Sequence, residues 1–381
     1  MSLGARTYIS FAALAALLAL LPPGGLSAWT WTEGLRWVYL FLIAAFTALL
    51  ATPLAARLAP RLGAMDVPDA RKVHSSPVPR SGGLAVYLAF LAAALRNMQF
   101  STEIWGILIG GTIVFLLGFA DDCRGLSART RLAWQALAAL AVTFFGLKLS
   151  FPLNLPFGEA LSTLLSVVWL VGIVNAFNFM DGIDGLASSM GLVCALLFLG
   201  IGWNSGQYPL AFISAALAGA CAGFLRYNWR PAGIFLGDSG STFIGFILGC
   251  LALYGSWATD DPAVAFSTPL LVLGIPIFDI IYTTVSRVRN GSVRGVKQWL
   301  EYTGKDHFHH RLMKLGLGVE QTVGFIVLLN ICLGLGAWTI RHTASTLGTW
   351  LLLAQSVLIF LIVVVLMLLG REYVPVKEPK P

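Results

Sequence analysis

Long apolar segments recur from one end of the chain to the other, and no polar stretch between them is long enough to form a separate soluble domain. A helix needs roughly 20 apolar residues to cross the hydrocarbon core of a bilayer. The pattern therefore predicts an all-α, polytopic membrane bundle of about 11 or 12 transmembrane helices. The predicted helices cover 6–23, 35–57, 82–96, 104–120, 131–148, 161–176, 186–203, 209–225, 240–256, 265–286, 320–339 and 346–370.

We predict a single polytopic domain over residues 1–381. The segment 6–23 is an additional N-terminal helix that ends early at Pro22 and Pro23. The sequence leaves open whether this first segment is retained or removed as a signal sequence.

Positive charge is concentrated on one side of the predicted membrane helices. All but four of the 25 Lys and Arg residues fall on the side that holds both termini and the long loops 58–81 and 287–319. The four exceptions are Arg36, Arg96, Lys148 and Arg341. The positive-inside rule assigns the basic side to the cytosol, which predicts a multi-pass membrane protein with its chemistry on the cytosolic face.

Composition agrees with a membrane protein: 57% of the residues are hydrophobic and 11% are charged, against about 25% charged in soluble domains. The net charge of +7 does not indicate a nucleic-acid partner, because the basic residues lie in short loops between apolar segments. The five cysteines are scattered without metal-ligand spacing, so neither a zinc site nor a disulfide framework is expected.

Six aspartates stand at or near the predicted cytosolic ends of helices. They are Asp121, Asp122, Asp181, Asp184, Asp238 and Asp279. A carboxylate near lipid depth is costly and usually faces a polar cavity or a partner. We expected these acids to converge without matching bases, an arrangement that suits Mg²⁺, with Mn²⁺ as a substitute.

Groups suited to anions are predicted on the same side. A basic loop contains Arg71, Lys72, His74 and Arg80, and residues 306–311 combine three histidines with an arginine. Carboxylates for a metal and cationic groups for phosphate oxygens are the components of phosphoryl transfer. Each element has a simpler explanation, such as a helix cap for Asp121 and Asp122 or a topology signal for the basic loop.

Taken in order, the motifs resemble those of the polyprenyl-phosphate N-acetylhexosamine-1-phosphate transferases. They are Arg71-Lys72-x-His74-xx-Pro77-x-Pro79-Arg80-x-Gly82-Gly83, Asp121-Asp122, Asn175-xx-Asn178-xx-Asp181-Gly-Ile-Asp184-Gly, and Phe235-Leu-Gly-Asp238-Ser-Gly. These motifs extend from about residue 66 to 312, within a family-like core of about 35–340. The segment 306–312 resembles the branch that begins O-antigen, common-antigen, teichoic-acid or arabinogalactan assembly, which usually uses UDP-GlcNAc.

The resemblance implies a UDP-N-acetylhexosamine donor, a polyprenyl phosphate acceptor and release of UMP. It also implies a location in the bacterial cytoplasmic membrane. It implies catalytic roles for Asp121 and Asp122, and a Mg²⁺ site at Asp238 together with those two carboxylates. It also implies substrate contacts from the basic loop, the nucleotide site and the histidine segment. The implied substrate-binding residues are Lys72, His74, Arg80, Asn175, Asn178, Asp181, Asp184, Asn228, Phe235, His307, His309, His310 and Arg311.

Several alternatives stay open at this stage. Phospho-MurNAc-pentapeptide transfer belongs to a related branch of the family. Arg131 is a departure from the family pattern, because Lys is common at that position. A polytopic transporter would also place acids in helices, but it predicts midplane sites or an inverted repeat. One-step attack and a covalent aspartyl route are both compatible with the residues. The oligomeric state is open, with a homodimer as one alternative.

Overall fold

The computed structural model describes residues 34–67, 76–97, 100–149, 157–258, 261–293, 295, 298, 304, 306–342 and 345–372. The predicted helix 6–23 lies outside the described residues, and so do Lys72 and His74 of the basic loop.

Thirteen helices make up almost all of the regular structure in this part of the chain, which confirms the all-α membrane architecture. They are α1 (Arg36–Leu62), α2 (Gly82–Asn97), α3 (Thr102–Arg124), α4 (Ala128–Phe144), α5 (Gly158–Met180), α6 (Leu186–Asn204), α7 (Tyr208–Asn228), α8 (Gly237–Tyr254), α9 (Pro262–Val272), α10 (Gly274–Arg289), α11 (Phe308–Lys314), α12 (Val319–His342) and α13 (Thr346–Glu372).

Eight of these helices are long and apolar enough to cross a membrane, and the bent pair α9 and α10 makes a ninth. The predicted number of about 12 transmembrane helices exceeds these nine spans for two reasons. The predicted spans 82–96 and 131–148 form α2 and α4, which have only 16 and 17 residues, and the span 6–23 lies outside the described residues.

The predicted helix 265–286 is interrupted, and its two parts meet at an angle of 83°. The break falls at Leu273, just before Gly274 and Pro276, and proline cannot donate a helical hydrogen bond. Asn330 of α12 pairs with the freed backbone groups: its Nδ2 donates to the Val272 carbonyl at 3.1 Å, and its Oδ1 accepts from Ile275 N at 3.4 Å. Polar pairing of this kind makes a broken helix tolerable at membrane depth.

The chain divides into two compact units, Met1–Ser256 and Trp257–Pro381, and each is described by itself. In the first unit, α7 and α8 are buried along most of their length. Two glycines let neighbouring helices approach the beginning of α8 closely. A Cβ on Gly83 would lie 2.2 Å from Gly240 N, and a Cβ on Gly118 would lie 2.6 Å from the Cα atom of Ser239.

A short hairpin, which the sequence did not predict, completes the first unit. Strands β1 (Met65–Asp66) and β2 (Val78–Pro79) pair antiparallel, with Met65 opposite Pro79. The Pro79 carbonyl accepts a hydrogen bond from Phe235 N at 2.8 Å, and Gly82 N donates to the Phe235 carbonyl at 3.0 Å. This backbone pairing on both sides of Arg80 and Ser81 fixes Arg80 beside the start of α8.

The second unit begins with α9 and α10, which meet at the break, and continues with α11, α12 and α13. Helix α11 packs against α12 and α13, and a Cβ on Gly370 of α13 would lie 2.7 Å from the Arg311 carbonyl oxygen. The short helix α11, which sequence patterning did not predict, carries most of the histidine segment 306–311.

Candidate active site

Asp121 and Asp122 stand side by side near the end of α3, but their carboxylates have different partners. The Asp122 side chain is fully buried, and it accepts hydrogen bonds from Asp238 N at 2.8 Å, Ser239 N at 2.9 Å and Ser239 Oγ at 2.6 Å. Free N–H groups at the beginning of a helix attract negative charge. Asp122 therefore caps α8 from a distant part of the chain and fixes the Gly237–Ser239 turn.

Asp121 faces the polar side of the same helix end. Its Oδ1 accepts a hydrogen bond from Leu126 N, and its Oδ2 lies 3.0 Å from Nη1 of Arg131. Arg131 belongs to the first turns of α4, and the short connection after α3 brings it back over Asp121. The same Nη1 lies 3.6 Å from Oδ2 of Asp238, so one guanidinium nitrogen links the ends of α3 and α8.

Asp238 lies in the first turn of α8 and receives partners from three directions. Asn178 Nδ2 donates to Asp238 Oδ1 at 2.8 Å and also lies 3.1 Å from Ser241 Oγ. Arg80 bridges two acids, with Nη2 at 2.9 Å from Asp238 Oδ1 and Nε at 3.2 Å from Asp122 Oδ1. The Asp238 side chain keeps 16% of its surface exposed, so it remains open to a ligand.

Our expectation of acids without matching bases is wrong for this site, because Arg80 and Arg131 pair with them. Asp181, just after α5, adds a fourth carboxylate, which accepts from Gly237 N and is electrostatically coupled to Arg80, Asp122 and Asp238. We call these four carboxylates the acidic cluster: Asp121, Asp122, Asp181 and Asp238. Burial raises the pKa of Asp181 well above its ordinary value, which favours its neutral form. The other three carboxylates still outnumber the two guanidinium groups, so pairing leaves a surplus of negative charge.

The charge balance is visible at Arg80. Burial alone would lower its pKa, but the carboxylates of Asp238 and Asp122 outweigh burial and raise the pKa above its ordinary value. The guanidinium is therefore permanently charged, and its 36% exposed side chain can reach an incoming anion.

The donor set fits magnesium only in part. Within the described residues, no three His, Cys, Asp or Glu side chains form a ready-made metal cluster. Mg²⁺ is usually held by one or two carboxylates together with substrate phosphates, not by a complete protein cage. Asp121 and Asp238, with surplus negative charge and hard oxygen ligands, fit that mode. Asp122 fits it less well, since both of its oxygens hold the beginning of α8.

Two predicted nucleotide residues lie at the edge of the acidic cluster. Asn175 Nδ2 donates to Gln135 Oε1 at 2.8 Å, which ties α5 to α4 one turn before Asn178. Asp184 Oδ2 accepts from Ala232 N at 3.2 Å and lies 3.9 Å from Arg230 Nη1. Asp184 thus restrains the loop that leads toward α8.

Asn228 and Phe235 belong to that same loop region. Asn228 is buried, accepts from Ser188 Oγ and donates to the Ile234 carbonyl at 3.0 Å. Its amide is therefore committed to the backbone beside Phe235. The Phe235 side chain is half-buried, and its backbone is held by the hairpin.

The second unit contains a line of paired charges that we call the histidine ladder: Asp279, His307, Arg287 and Asp306. Asp279 Oδ2 lies 2.7 Å from His307 Nδ1, and Asp279 Oδ1 accepts from Phe308 N at 2.8 Å. Arg287 Nη2 lies 3.1 Å from His307 Nε2, and Arg287 forms two bonds with Asp306 at 2.8 and 2.7 Å. Burial would raise the pKa of Asp306, but Arg287 outweighs it and lowers the pKa.

The remaining histidines differ from His307. His309 is only 1% exposed, and neither ring nitrogen has a hydrogen-bond partner among the described residues. Burial lowers the pKa of His309 well below its ordinary value, with smaller contributions from His310 and His307, so the ring is neutral. The His310 ring lies 4.2 Å from that of His309, and Arg311 Nε donates to the Asp306 carbonyl at 3.4 Å.

The structure thus joins Asp121, Asp122, Asp181, Asp238, Asn178 and Arg80 at the beginning of α8. The predicted residues His307, His309, His310 and Arg311 lie in the second unit. Sequence reasoning missed the pairing roles of Arg131 and Arg287. Their charge and their positions at helix ends were visible, but their partners are distant in sequence.

Comparison with known proteins places this geometry in a family. The profile of glycosyl transferase family 4 matches residues 104–256, which include the acidic cluster. A probable undecaprenyl-phosphate N-acetylglucosaminyl 1-phosphate transferase of Bacillus subtilis is 32% identical over 348 residues, covering 90% of this chain and 95% of that protein.

Two further relatives show the breadth of the similarity. A decaprenyl-phosphate N-acetylglucosaminephosphotransferase of Mycobacterium tuberculosis is 36% identical, over 75% of this chain and 78% of that protein. A phospho-N-acetylmuramoyl-pentapeptide-transferase of Clostridium botulinum is 32% identical, over 70% of this chain and 84% of that protein. Because the similarity is nearly full-length and the aspartates of three motifs meet in the acidic cluster, the chain belongs to the polyprenyl-phosphate N-acetylhexosamine-1-phosphate transferase family.

Proposed function

We propose that this membrane enzyme transfers GlcNAc-1-phosphate from UDP-GlcNAc to a polyprenyl phosphate and releases UMP. The observation that carries the proposal is the arginine-bridged acidic cluster at the beginning of α8, where anionic and cationic groups suited to two phosphorylated reactants meet. The names of the Bacillus and Mycobacterium relatives support GlcNAc and a polyprenyl acceptor.

The reaction is one displacement at phosphorus. An oxygen of the lipid phosphate attacks the β-phosphorus of the nucleotide sugar and forms a new P–O–P linkage. The bond between the β-phosphorus and the oxygen bridging it to the α-phosphorus breaks, and UMP leaves with that electron pair. Asp121, which pairs with the 36% exposed side chain of Arg131, accepts the proton of the lipid phosphate or orients the phosphate for attack. A covalent aspartyl route needs a second displacement, so we favour the direct one.

Arg80 and Arg131 would bind the negatively charged phosphates of the reactants. Both side chains are 36% exposed and each contacts two carboxylates. We infer that these guanidiniums turn part of their hydrogen bonding toward the diphosphate when substrate enters, since arginine matches phosphate oxygens bidentately. Preformed donors of this kind stabilise charge that develops in the transition state.

Asp238 and Asp121 are the residues that would hold Mg²⁺, or Mn²⁺ in its place. The ion would neutralise phosphate charge in the site. Asp122 contributes by positioning Asp238, because it fixes the backbone of Asp238 and Ser239. Asn178 Nδ2 orients the Asp238 carboxylate from the other side.

The uridine would bind beside the loop that precedes α8. The half-buried Phe235 offers a ring for stacking, and Asn228 supports it through the Ile234 carbonyl. Asp181 and Asp184 line the approach from the end of α5. His309, His310 and Arg311 would contact the sugar and its phosphate, as would Lys72 and His74.

We propose that the acidic cluster faces the cytosol, because the Lys and Arg residues concentrate on that side of the predicted helices. Ser292, exposed just after α10, is a suitable labelling position. An impermeant thiol reagent should label Ser292→Cys in inverted membrane vesicles and leave it unlabelled in intact cells. The reverse pattern would contradict the orientation.

A donor panel tests the proposed function. Purified protein, polyprenyl phosphate and Mg²⁺ are incubated with UDP-GlcNAc, UDP-GalNAc or UDP-MurNAc-pentapeptide, with Asp238→Asn as the inactive reference. We expect a lipid product and UMP with UDP-GlcNAc. Product from UDP-MurNAc-pentapeptide alone would favour the second candidate, which the Clostridium relative suggests. No product from any donor would overturn the proposal.

A further inference from the structure

We propose that Asp279 is a positioning residue that fixes His307 as the Nδ1–H tautomer, and that His307 supports the histidine segment without itself contacting substrate. This inference rests on the proposed function, in which residues 309–311 contact the nucleotide sugar. It reassigns His307, which we had expected to bind substrate.

The hydrogen bonds decide the tautomer of His307. The Asp279 carboxylate can only accept, so the His307 Nδ1 at 2.7 Å from it must carry the proton. Arg287 can only donate, so the His307 Nε2 at 3.1 Å from it must offer its lone pair. Both ring nitrogens are thereby committed within the protein, and the residue is only 6% exposed.

Asp279 also begins helix α11. Its second oxygen accepts from Phe308 N, the first N–H group of the helix, at 2.8 Å. One buried carboxylate thus orients an imidazole with one oxygen and the helix beginning with the other. An amide has only one acceptor oxygen, so asparagine cannot serve both bonds.

Arg287 and Asp306 close the loop that separates α10 from α11. The two-bond pair between them joins the end of α10 to the residue before His307. Arg287 is 3% exposed, so solvent screens this pair weakly. The ladder therefore fixes where α11 begins after a loop of more than a dozen residues.

The consequence falls on His309, in the first turn of α11. His309 has two ring nitrogens without hydrogen-bond partners among the described residues, although it is buried. Its placement depends on the helix that Asp279 and His307 begin. A displacement of about 1 Å at such a position can cost about 100-fold in rate.

A pair of substitutions at His307 separates support from substrate contact. Asparagine places an N–H where the His307 Nδ1–H lies, and glutamine places one where Nε2 lies. We expect His307→Asn to keep kcat/KM for UDP-GlcNAc within about 10-fold of wild type and His307→Gln to lose about 100-fold or more. Equal losses, or better activity in the glutamine variant, would overturn the assignment.

Nitrogen-15 NMR of histidine-labelled full-length protein provides a readout that does not depend on activity. The chain has five histidines, and His307→Asn identifies the His307 signals by their loss. We expect a neutral Nδ1–H tautomer for His307 in wild type and its disappearance in Asp279→Asn. An Nε2–H tautomer in wild type contradicts the proposal even if the variant fails to fold.

Kinetics of Asp279→Asn complete the test, with Asp261→Asn as the matched control. Asp261 caps the exposed beginning of α9 in the same unit. We expect Asp279→Asn to lower kcat/KM for the nucleotide sugar by about 10- to 100-fold, with an unchanged Mg²⁺ concentration for half activity. Wild-type protein that transfers from no donor refutes the proposed function, whereas an active enzyme unaffected by Asp279→Asn refutes only the positioning role.

Discussion

The acidic cluster of the first unit and the histidine ladder of the second both contain arginine paired with aspartate, but they differ in exposure. Arg80 and Arg131 are 36% exposed and each shares its charge between two carboxylates. Arg287 is 3% exposed and Asp279 is 1% exposed. Exposed pairs can exchange partners at small cost, whereas breaking a buried pair is strongly destabilising.

This difference in exposure indicates that the acidic cluster carries out the reaction and that the histidine ladder supports the structure. The acidic cluster retains surplus negative charge and reachable guanidiniums, as expected where phosphates and a cation enter and leave. The histidine ladder uses its donors and acceptors internally, as expected of a support. A related distinction applies within the acidic cluster. Asp121 and Asp122 are both buried, but Asp122 accepts from two backbone N–H groups of α8, whereas Asp121 pairs with the 36% exposed Arg131.

Removing divalent cations should produce the largest effect. EDTA is expected to stop transfer and added Mg²⁺ or Mn²⁺ to restore it, because the surplus charge of the acidic cluster then repels both anionic reactants. UMP release measured across a metal titration checks this. Full turnover in chelated buffer would remove the metal from the account.

Asp238→Asn should lower transfer by at least about 100-fold, since an electrostatic group aimed at the reacting phosphates is lost. Asp121→Asn should act in the same direction. Asp261→Asn, a cap on the exposed beginning of α9, is the matched control and should leave activity near wild type. Turnover near wild type in both acidic-cluster variants would exclude them from the mechanism.

Asp122→Asn is expected to act through stability. Asparagine leaves a buried N–H at the beginning of α8 without an acceptor, which costs about 1–3 kcal/mol. Thermal unfolding in detergent should show a larger decrease for Asp122→Asn than for Asp121→Asn, because Asp122 accepts from two backbone N–H groups and Asp121 from one. Equal stability in the two variants would contradict the special role of Asp122 in capping α8.

Substitutions at Arg131 test whether the exposed ion pairs act through their charge or through the geometry of the guanidinium group. Lysine keeps the charge but lacks the planar fork, so Arg131→Lys should cost no more than about 10-fold in kcat/KM. Arg131→Gln removes the charge and should cost about 100-fold. If the two variants are equally impaired, geometry matters more than charge at this position.

The smallest expected effect is a pH dependence of stability. Burial lowers the pKa of His309 from 6.5, so below that pH the unfolded chain binds a proton that the folded ring does not. Stability should therefore fall as pH decreases, by up to about 1.4 kcal/mol per unit. The pKa of Asp306 is lowered from 3.8 by Arg287, so Asp306 loses its charge and its pairing with Arg287 only below that pH.

His309→Phe should remove this dependence between pH 6.5 and 5 while keeping stability at pH 8, because the ring nitrogens have no partners among the described residues. Unfolding temperatures across pH report the effect, and His342→Phe at an exposed helix end is the matched control. An unchanged slope in His309→Phe would show that other groups cause it.

The helices could be predicted from the sequence because long apolar segments specify them directly. Each helix predicted within the described residues is present, although 265–286 is broken at Leu273. Gly274 and Pro276 were a visible signal of that break. The partner that makes it tolerable, Asn330, lies more than 50 residues away and had no local signal.

The site was predicted less completely. The motifs identified the aspartates, but side chains of adjacent helical residues diverge by about 100°. Which of Asp121 and Asp122 caps α8 therefore depends on how α3 packs against α8, and the sequence does not show that. The pairing of Arg131 with Asp121 and Asp238 likewise depends on tertiary contacts.

The most direct test follows the phosphate itself. Purified protein is incubated with polyprenyl phosphate, Mg²⁺ and UDP-GlcNAc that carries phosphorus-32 in its β-phosphate. We predict that the label moves to the lipid product and that unlabelled UMP is released. Label left in the aqueous phase as UDP, with sugar alone on the lipid, would contradict transfer of a sugar phosphate at the acidic cluster.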